Sequence, residues 1–261
     1  MIVAGCDVGS LTTKAVIMKD KKILSYKIIL NKVKPEESST EIMKQVLDAA
    51  NLGFDDLAYF IGTGYGMNKI SLVNETKSEI ACHAKGAIFL MPSVRTVIDI
   101  GGQDCKVTKI DKDGKIVKFI TNDKCASGTG RFLEVMASAI GVTLDEIGGL
   151  SKIAKTVTPI SSMCTVWAQA EVIRMINDGL ALADIGASIN EGMANRVAML
   201  VNAMGIEKDV CMTGGVAKNI GVFKSLEKKL STKIKKPYVD SQLVGALGAA
   251  IFAEEKIKEE K

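Results

Sequence analysis

The stretch VIDIGGQDCKVTKIDKDGKIVKFITNDKCASGTGRFLEVMASAIG, residues 97–141, decides how this chain is organised. It opens with an apolar strand pattern that ends in Asp99 and a glycine pair. It then passes through a lysine-rich hairpin and reaches Cys125 ahead of an amphipathic helix pattern. An acid followed by glycines suits magnesium and phosphate, because glycine lets backbone N–H groups approach a phosphate closely. The stretch therefore predicts a nucleotide loop that one hairpin joins to a cysteine at the start of a helix.

The same arrangement occurs earlier in the chain. Asp7 lies 92 positions before Asp99, and Lys14 lies the same 92 positions before Lys106. We interpret this as an internal duplication, which predicts two similar lobes. The first lobe is predicted at 1–92, completed by a C-terminal helix at 243–261, and the second at 93–242. Two such lobes are expected to bring Asp7 and Asp99 together across a cleft, a geometry that suits magnesium held largely through water.

Strand and helix patterns alternate along the rest of the chain, which predicts an α/β architecture. The predicted strands are 2–6, 12–18, 23–30, 57–62, 210–213 and 234–239. The predicted helices are 35–50, 79–91, 128–140, 143–150, 165–178, 181–204, 217–230 and 243–256.

Composition narrows the function classes. Of the 261 residues 47% are hydrophobic, and the net charge of +4 is spread thinly, so no nucleic-acid partner is expected. The N-terminus lacks a basic region before its apolar residues, and no apolar run reaches roughly 18 residues, so we expect a cytoplasmic chain without a membrane partner. One histidine argues against a Ser-His-Asp triad or a multi-histidine zinc site. Six cysteines in a reducing compartment are either buried or ligands; those predicted to be buried are Cys6, Cys82, Cys105 and Cys211.

Three motifs resemble the phosphate and adenosine loops of the acetate/sugar kinase, actin and chaperone superfamily: DVGSLTTK at 7–14, DIGGQD at 99–104 and TGG at 213–215. Within it, GCDVGSLTTK, NDKCASGTGRFLE and SSMCTVWAQAEVI resemble the activators (component A) of 2-hydroxyacyl-CoA dehydratases, in the BadF/BadG/BcrA/BcrD-type ATPase family. The resemblance covers essentially the whole chain. It implies two ribonuclease H-like lobes of actin/sugar-kinase type with a nucleotide cleft between them.

The resemblance also implies a role for each matched residue. Asp7 and Asp99 would hold Mg²⁺ largely through water, and Gln103 or Asp104 would position the water that attacks ATP. The other residues implied to contact ATP or ADP are Gly9, Ser10, Leu11, Thr12, Thr13, Lys14, Gly101, Gly102, Gln103, Gly130, Gly214 and Gly215.

Cys125 and Cys164 match the family's ligands to one [4Fe–4S] cluster, which is shared by a homodimer. In the family, ATP hydrolysis drives an electron from that cluster to the dehydratase. The resemblance also implies anaerobic metabolism and an upstream reductant such as ferredoxin or flavodoxin. The residues agree independently, since a [4Fe–4S] cluster usually takes four thiolates and this chain has no C-x-x-C. Two chains could therefore supply two thiolates each around a two-fold axis.

Both cysteines precede helix patterns, and a helix N-terminus stabilises a nearby anion. We therefore expect the nucleotide state to change the geometry of these helices. Three alternatives stay open: a small-molecule kinase of the same superfamily, an ATPase subunit of a benzoyl-CoA-reductase-like system, and a non-catalytic nucleotide-gated module.

Overall fold

The computed structural model of the protein describes residues 1–161 and 163–259. Its strands are β1 Ile2–Val8, β2 Thr12–Lys19, β3 Lys22–Leu30, β4 Tyr59–Thr63, β5 Glu75–Thr76, β6 Thr96–Ile100, β7 Cys105–Ile110, β8 Ile116–Asn122, β9 Val210–Thr213 and β10 Ile234–Lys235. Its helices are α1 Pro35–Ala49, α2 Glu79–Leu90, α3 Gly130–Ile140, α4 Leu144–Leu150, α5 Thr165–Asn177, α6 Leu182–Met204, α7 Ile220–Lys229 and α8 Val244–Glu259. The predicted α/β class is confirmed. Within the described ranges, no helix is both long and apolar enough to cross a membrane.

The chain packs as two compact units. The first comprises Met1–Val97, Ile110–Val117 and Pro237–Lys261, and the second comprises Ile98–Lys109 and Lys118–Lys236. The lobe boundaries predicted at 92 and 242 remain a prediction.

The first unit is built on a five-stranded sheet of order β3-β2-β1-β4-β5. Strands β1, β2 and β3 are antiparallel neighbours, whereas β4 runs parallel to β1 and β5 parallel to β4. Helix α8 lies very close to β1, because a Cβ atom at Gly5 would sit 2.0 Å from the carbonyl oxygen of Ala246. The small residues at the start of α8 therefore allow this close approach.

The second unit repeats this topology. Its sheet has the order β10-β9-β6-β7-β8, so its first strand, β6, lies between β7 and β9 just as β1 lies between β2 and β4. The amphipathic helices cover it with fully buried side chains such as Phe132 and Met136. The shared strand order agrees with the internal duplication.

Some predicted boundaries are wrong. Strand β10 is only two residues long and ends before Pro237, since proline cannot donate to a strand ladder. The helix predicted at 217–230 is a 3₁₀ turn followed by α7, which starts after Asn219 because the Oδ1 atom of Asn219 accepts a hydrogen bond from Val222 N at 2.9 Å. Helix α3 begins at Gly130, two residues later than predicted.

Candidate functional site

Asp7 is a buried acid near the end of β1. Its side chain is 1% exposed, and its Oδ2 atom lies 3.3 Å from the Nζ atom of Lys14, the residue opposite it on β2. Among the described residues, none donates a hydrogen bond to the buried Oδ1 atom. A buried carboxylate oxygen without a partner is costly, and hard cations such as Mg²⁺ prefer such oxygens. Asp7 therefore fits the predicted magnesium role.

The loop after Asp7 is shaped by a residue that the sequence reasoning missed. Gly9 N donates to Thr12 O at 3.0 Å, which closes a tight turn. Asn31, the residue after β3, then holds this turn: its Nδ2 atom donates to Gly9 O at 2.7 Å, and its Oδ1 atom accepts from the hydroxyl of Thr13 at 2.8 Å. The Thr13 hydroxyl is thus bonded within the protein, whereas backbone N–H groups of such a loop can serve as phosphate donors. An asparagine that ends a strand was the available signal.

Gly64 completes the surroundings of Asp7. It follows β4 with φ +90°, and a Cβ atom there would lie 2.3 Å from Asp7 Oδ1. A side chain at this position would therefore be strained and would displace the carboxylate. The structure thus brings the predicted residues Asp7 and Gly9–Lys14 together, with Gly64 and Asn31 added.

Asp99 has the equivalent place on β6, but a different environment. Its Oδ1 atom accepts a hydrogen bond from the hydroxyl of Thr213 at 2.8 Å. Gly214 follows β9 with φ +83°, and a Cβ atom there would lie 2.3 Å from Ile100 O and 3.0 Å from Asp99 Oδ1. The predicted residues Asp99, Gly214 and Gly215 therefore lie together at one edge of the second sheet.

The loop from Gly101 to Asp104 is closed on itself. Gly101 N donates to Asp104 O at 3.0 Å, and the Asp104 carboxylate is ion-paired with Lys106. The Gln103 side chain is exposed. Of the two candidates for positioning water, Asp104 is therefore already ion-paired, whereas Gln103 is accessible.

Helix α3 is docked directly on this loop. Gly130 N donates to Gly101 O at 2.9 Å and Arg131 N donates to Gly102 O at 2.7 Å. These two N–H groups belong to the first turn of the helix, where backbone N–H groups have no acceptor within the helix itself. A Cβ atom at Gly130 would lie 3.0 Å from Gly101 O, so the close approach depends on glycine. Two backbone hydrogen bonds thus connect the predicted nucleotide loop to the helix that follows Cys125.

Cys125 and Cys164 are the two exposed cysteines. Cys164 immediately precedes α5, as predicted, and its carbonyl oxygen accepts from Ala168 N at 2.9 Å. Cys125 lies further from its helix than predicted, on the turn between β8 and α3. Asn122 fixes that turn through bonds from its Nδ2 atom to the carbonyl oxygens of Cys125 and Ser127, at 3.1 and 2.7 Å. The N-terminal N–H groups of α3 that bind the loop are therefore not directed at Cys125.

The other cysteines are buried, as predicted. Burial raises the pKa of the Cys82 thiol to about 12. Burial also raises the pKa of the other three buried thiols well above the usual range, those of Cys6, Cys105 and Cys211. Thiols of this kind are poor metal ligands at neutral pH, since ligation needs the thiolate.

The surroundings of the two exposed cysteines fit an anionic cluster. The hydroxyl oxygens of Ser127 and Thr165 are buried, and neither has a hydrogen-bond partner among the described residues. Ser127 is two residues from Cys125, and Thr165 is next to Cys164. A hydroxyl without a partner in the described part of the chain, within two residues of each cysteine, fits a cluster site, because hydrogen bonds to sulfur help to set the potential of iron–sulfur clusters.

Comparison with a distant structure tests the fold. A ROK family glucokinase from Streptomyces griseus, in complex with glucose and AMPPNP, matches with a TM-score of 0.60 at 13% identity, over 98% of this chain and 100% of that one. The likeness confirms the predicted sugar-kinase type of fold and carries no statement about substrate.

Closer proteins share both fold and sequence. The chain is 43% identical to the activator of lactoyl-CoA dehydratase of Anaerotignum propionicum, over 98% of each protein. The activator of the 2-hydroxyisocaproyl-CoA dehydratase from Clostridium difficile, solved with bound ADPNP, is 39% identical with a TM-score of 0.95, over 100% of this chain and 97% of that one. Component A of the Acidaminococcus fermentans (R)-2-hydroxyglutaryl-CoA dehydratase is 42% identical with a TM-score of 0.96, over 99% of each chain. The family model described as the BadF/BadG/BcrA/BcrD ATPase family matches residues 4–253, and the chain belongs to this family of ATPases.

Proposed function

We propose that this protein is an ATP-hydrolysing iron–sulfur activator that passes an electron at low potential to a 2-hydroxyacyl-CoA dehydratase. Membership of the ATPase family and the similarity to activators of three such dehydratases support this proposal. The single observation that carries it is the docking of α3 on the Gly101–Gly102 loop, next to the turn that bears Cys125. A kinase would have no need to link its phosphate loop to an exposed cysteine.

ATP would be held by the two loops that follow β1 and β6. Backbone N–H groups between Gly9 and Thr13 would contact phosphate, and Lys14 would exchange part of its interaction with Asp7 for the phosphates. Asp7 would hold Mg²⁺ through water, a role that its Oδ1 atom fits, and we assign the same role to Asp99. Magnesium there would neutralise charge on the phosphates. Gly214 and Gly215 would flank the adenosine.

We assign the positioning of the attacking water to Gln103. Its side chain is exposed, whereas the Asp104 carboxylate already pairs with Lys106 and the Asp104 carbonyl holds Gly101. Asp104 would then keep the loop in shape. In this assignment an amide side chain orients the water and does not take its proton.

Cys125 and Cys164 would hold one [4Fe–4S] cluster together with the same two residues of a second copy of this chain. The cluster would supply a one-electron redox couple, reduced by a donor such as ferredoxin or flavodoxin. The chain's contribution is to keep both thiols accessible on short turns while four other thiols are buried. The homodimer follows from the count of ligands, since one chain offers only two accessible thiols and the cluster usually takes four.

Coupling would run through the hydrogen bonds of Gly130 and Arg131. When hydrolysis moves the Gly101–Gly102 loop, the start of α3 must follow or lose both bonds. The loss of each backbone hydrogen bond costs about 1 kcal/mol, which is enough to shift an equilibrium between two positions of α3. The Cys125 turn leads directly into α3 and would move with it.

The test is the iron and sulfide content of protein purified without oxygen. We expect about two irons per chain, as four irons shared by two chains require. Cys125→Ala and Cys164→Ala should lose the iron and retain ATP hydrolysis. The control Cys211→Ala removes a buried thiol and should retain the iron.

Iron-free wild-type protein with intact ATP hydrolysis would make the exposed cysteines structural. Phosphate transfer to a small molecule in the absence of any partner protein would then establish the kinase alternative. Iron that survives in Cys125→Ala would show that the ligands are assigned wrongly.

A further inference from the structure

Arg196 is a buried arginine on α6, 7% exposed, that reaches both cysteine segments. Its guanidinium carbon lies 4.6 Å from the centre of the Phe132 ring on α3, and its Nη1 atom donates to Gly192 O at 2.7 Å. Its Nε atom makes a long hydrogen bond of 3.5 Å to Met163 O, one residue before Cys164. A Cβ atom at Gly128, on the Cys125 turn, would lie 3.5 Å from the Arg196 Cβ. One side chain thus contacts α3, α6 and both cysteine segments.

The charge around Arg196 links the same segments. Burial lowers the pKa of Arg196, and the negative charges of Glu171 and of the Cys125 thiolate act in the opposite direction. Glu171 in turn holds the segment before Cys164, because its carboxylate accepts from the N–H and the hydroxyl of Ser161 at 2.9 and 3.1 Å. Arginine stays protonated in proteins even when it is buried, so a permanent positive charge lies beside the cysteine turn.

We propose that Arg196 is a positioning residue for the pair Cys125 and Cys164. Its Cβ atom packs at Gly128 of the Cys125 turn, while its guanidinium group bonds to Met163 O and lies over Phe132, so that one side chain fixes both segments relative to α3. Its charge also stabilises the extra negative charge of a reduced cluster and so raises the cluster's reduction potential. The second part rests on the proposed function, whereas the first part concerns this chain alone.

The first readout is hydrogen exchange of the full-length, iron-free protein. In Arg196→Met we expect amides of 123–129 and 163–166 to exchange about tenfold faster or more, since both segments lose a buried contact. Arg174→Met is the matched control: it removes the same charge from an exposed position on α5, where Arg174 contacts Asp178, and should change neither segment. Equal exchange in the two variants would overturn the positioning role, whatever the iron content.

The second readout is the midpoint potential of the iron-loaded protein, which a purely structural role would not move in a charge-dependent way. Arg196→Met should shift the reduction equilibrium toward the oxidised form by about tenfold, or about 59 mV for one electron. Arg196→Lys keeps the charge but loses the planar group, so exchange should rise while the potential stays near that of wild type.

The lysine variant also decides the matter if the methionine variant does not fold. Amide exchange as slow as in wild type in Arg196→Lys would overturn the positioning role. Arg196→Lys keeps the charge at this site, and Arg174→Met loses an exposed one. A midpoint potential lowered by the same amount in both variants would therefore overturn the charge effect. Wild-type protein without iron would end the proposed function, and the exchange data would still decide the positioning role.

Discussion

The two sheets place an acid, a threonine and a glycine at the same positions and use them differently. Asp7 on β1 and Asp99 on β6 each lie beside a Thr-Gly pair at the end of a neighbouring strand, β4 or β9. In the second unit the hydroxyl of Thr213 donates to Asp99 Oδ1 at 2.8 Å. In the first unit the hydroxyl of Thr63 donates instead to Lys77 O at 2.8 Å, and no described residue donates to Asp7 Oδ1.

The helix that follows the third strand differs as well. Helix α1 begins with Pro35, which has no N–H, and the N–H groups of Glu37 and Ser38 bond to Lys34 O. Helix α3 begins with Gly130 and gives its first N–H groups to the nucleotide loop. The comparison indicates that the duplicated halves have specialised. In the first unit the Oδ1 atom of Asp7 has no hydrogen-bond donor among the described residues, whereas in the second unit the first N–H groups of α3 bond to the Gly101–Gly102 loop, next to the turn that bears Cys125.

The first prediction concerns thiol reactivity, because the first unit has only buried cysteines and both exposed ones are in the second. In folded, iron-free protein at pH 8, iodoacetamide should label Cys125 and Cys164 about 1,000-fold faster than Cys82. The thiolate is the reactive form, and the pKa of Cys82, raised by burial to about 12, keeps the thiolate fraction very small at that pH. The rate for Cys82 should rise about tenfold per pH unit until the pH approaches that value.

Peptide mass spectrometry after timed labelling measures these rates. In denaturant all six cysteines should react, which controls for access to the reagent. Rapid labelling of Cys82 in the folded chain would mean that the first unit opens readily and would remove this difference between the halves.

The second prediction tests the two acids directly. Asp7→Asn should lower ATP hydrolysis about 100-fold or more, because the variant loses the carboxylate oxygen proposed to hold magnesium. Asp99→Asn should lower it about tenfold, since the asparagine oxygen can still accept the Thr213 hydroxyl. Phosphate release measured against Mg²⁺ concentration separates weaker ion binding from slower chemistry.

ADP binding without magnesium is the control for the fold of both acid variants and should stay within a few-fold of wild type. A larger loss in Asp99→Asn than in Asp7→Asn would show that Asp99 contributes more than Asp7 to magnesium-dependent hydrolysis.

Sequence alone predicts most of the framework of this comparison. Apolar strands that end in an acid and glycines, repeated at one spacing, are local patterns, and they correctly place Asp7 near the end of β1 and Asp99 near the end of β6. What escapes is set by contacts between distant residues: Asn31 holds the Gly9 turn from the far end of β3, and Thr213 reaches Asp99 from a strand more than a hundred residues away. The start of α3 also escapes, since the Ser-Gly-Thr run before it is compatible with either a turn or a helix.

The third prediction tests the connection that only the second unit has. Gly130→Ala should weaken the connection between the Gly101–Gly102 loop and α3. Its Cβ atom would lie 3.0 Å from Gly101 O and 3.2 Å from the Cα atom of Gly102, which forces α3 away from the loop. We expect the ATP and ADP states then to differ several-fold less in the rate at which a chelator removes iron.

Gly149→Ala is the matched control for this loss of coupling, since a Cβ atom at Gly149 on α4 would meet nothing within 4 Å. A nucleotide effect on chelation that stays intact in Gly130→Ala would place the coupling elsewhere in the chain.

The last and smallest effect compares the two threonines, both fully buried. Thr63→Val and Thr213→Val remove the same hydroxyl from equivalent strand ends, so each should lower the free energy of unfolding by about 1–2 kcal/mol in denaturant titrations. Only Thr213→Val should raise the Mg²⁺ concentration needed for half-maximal ATP hydrolysis, by a few-fold, because only Thr213 orients an acid. Equal magnesium responses in the two variants would mean that the Thr213 hydroxyl stabilises the fold without setting the carboxylate. The halves would then differ in which atoms are bonded but not in how they bind the ion. A magnesium effect confined to Thr213→Val would instead show that one duplicated position has become structural and the other functional.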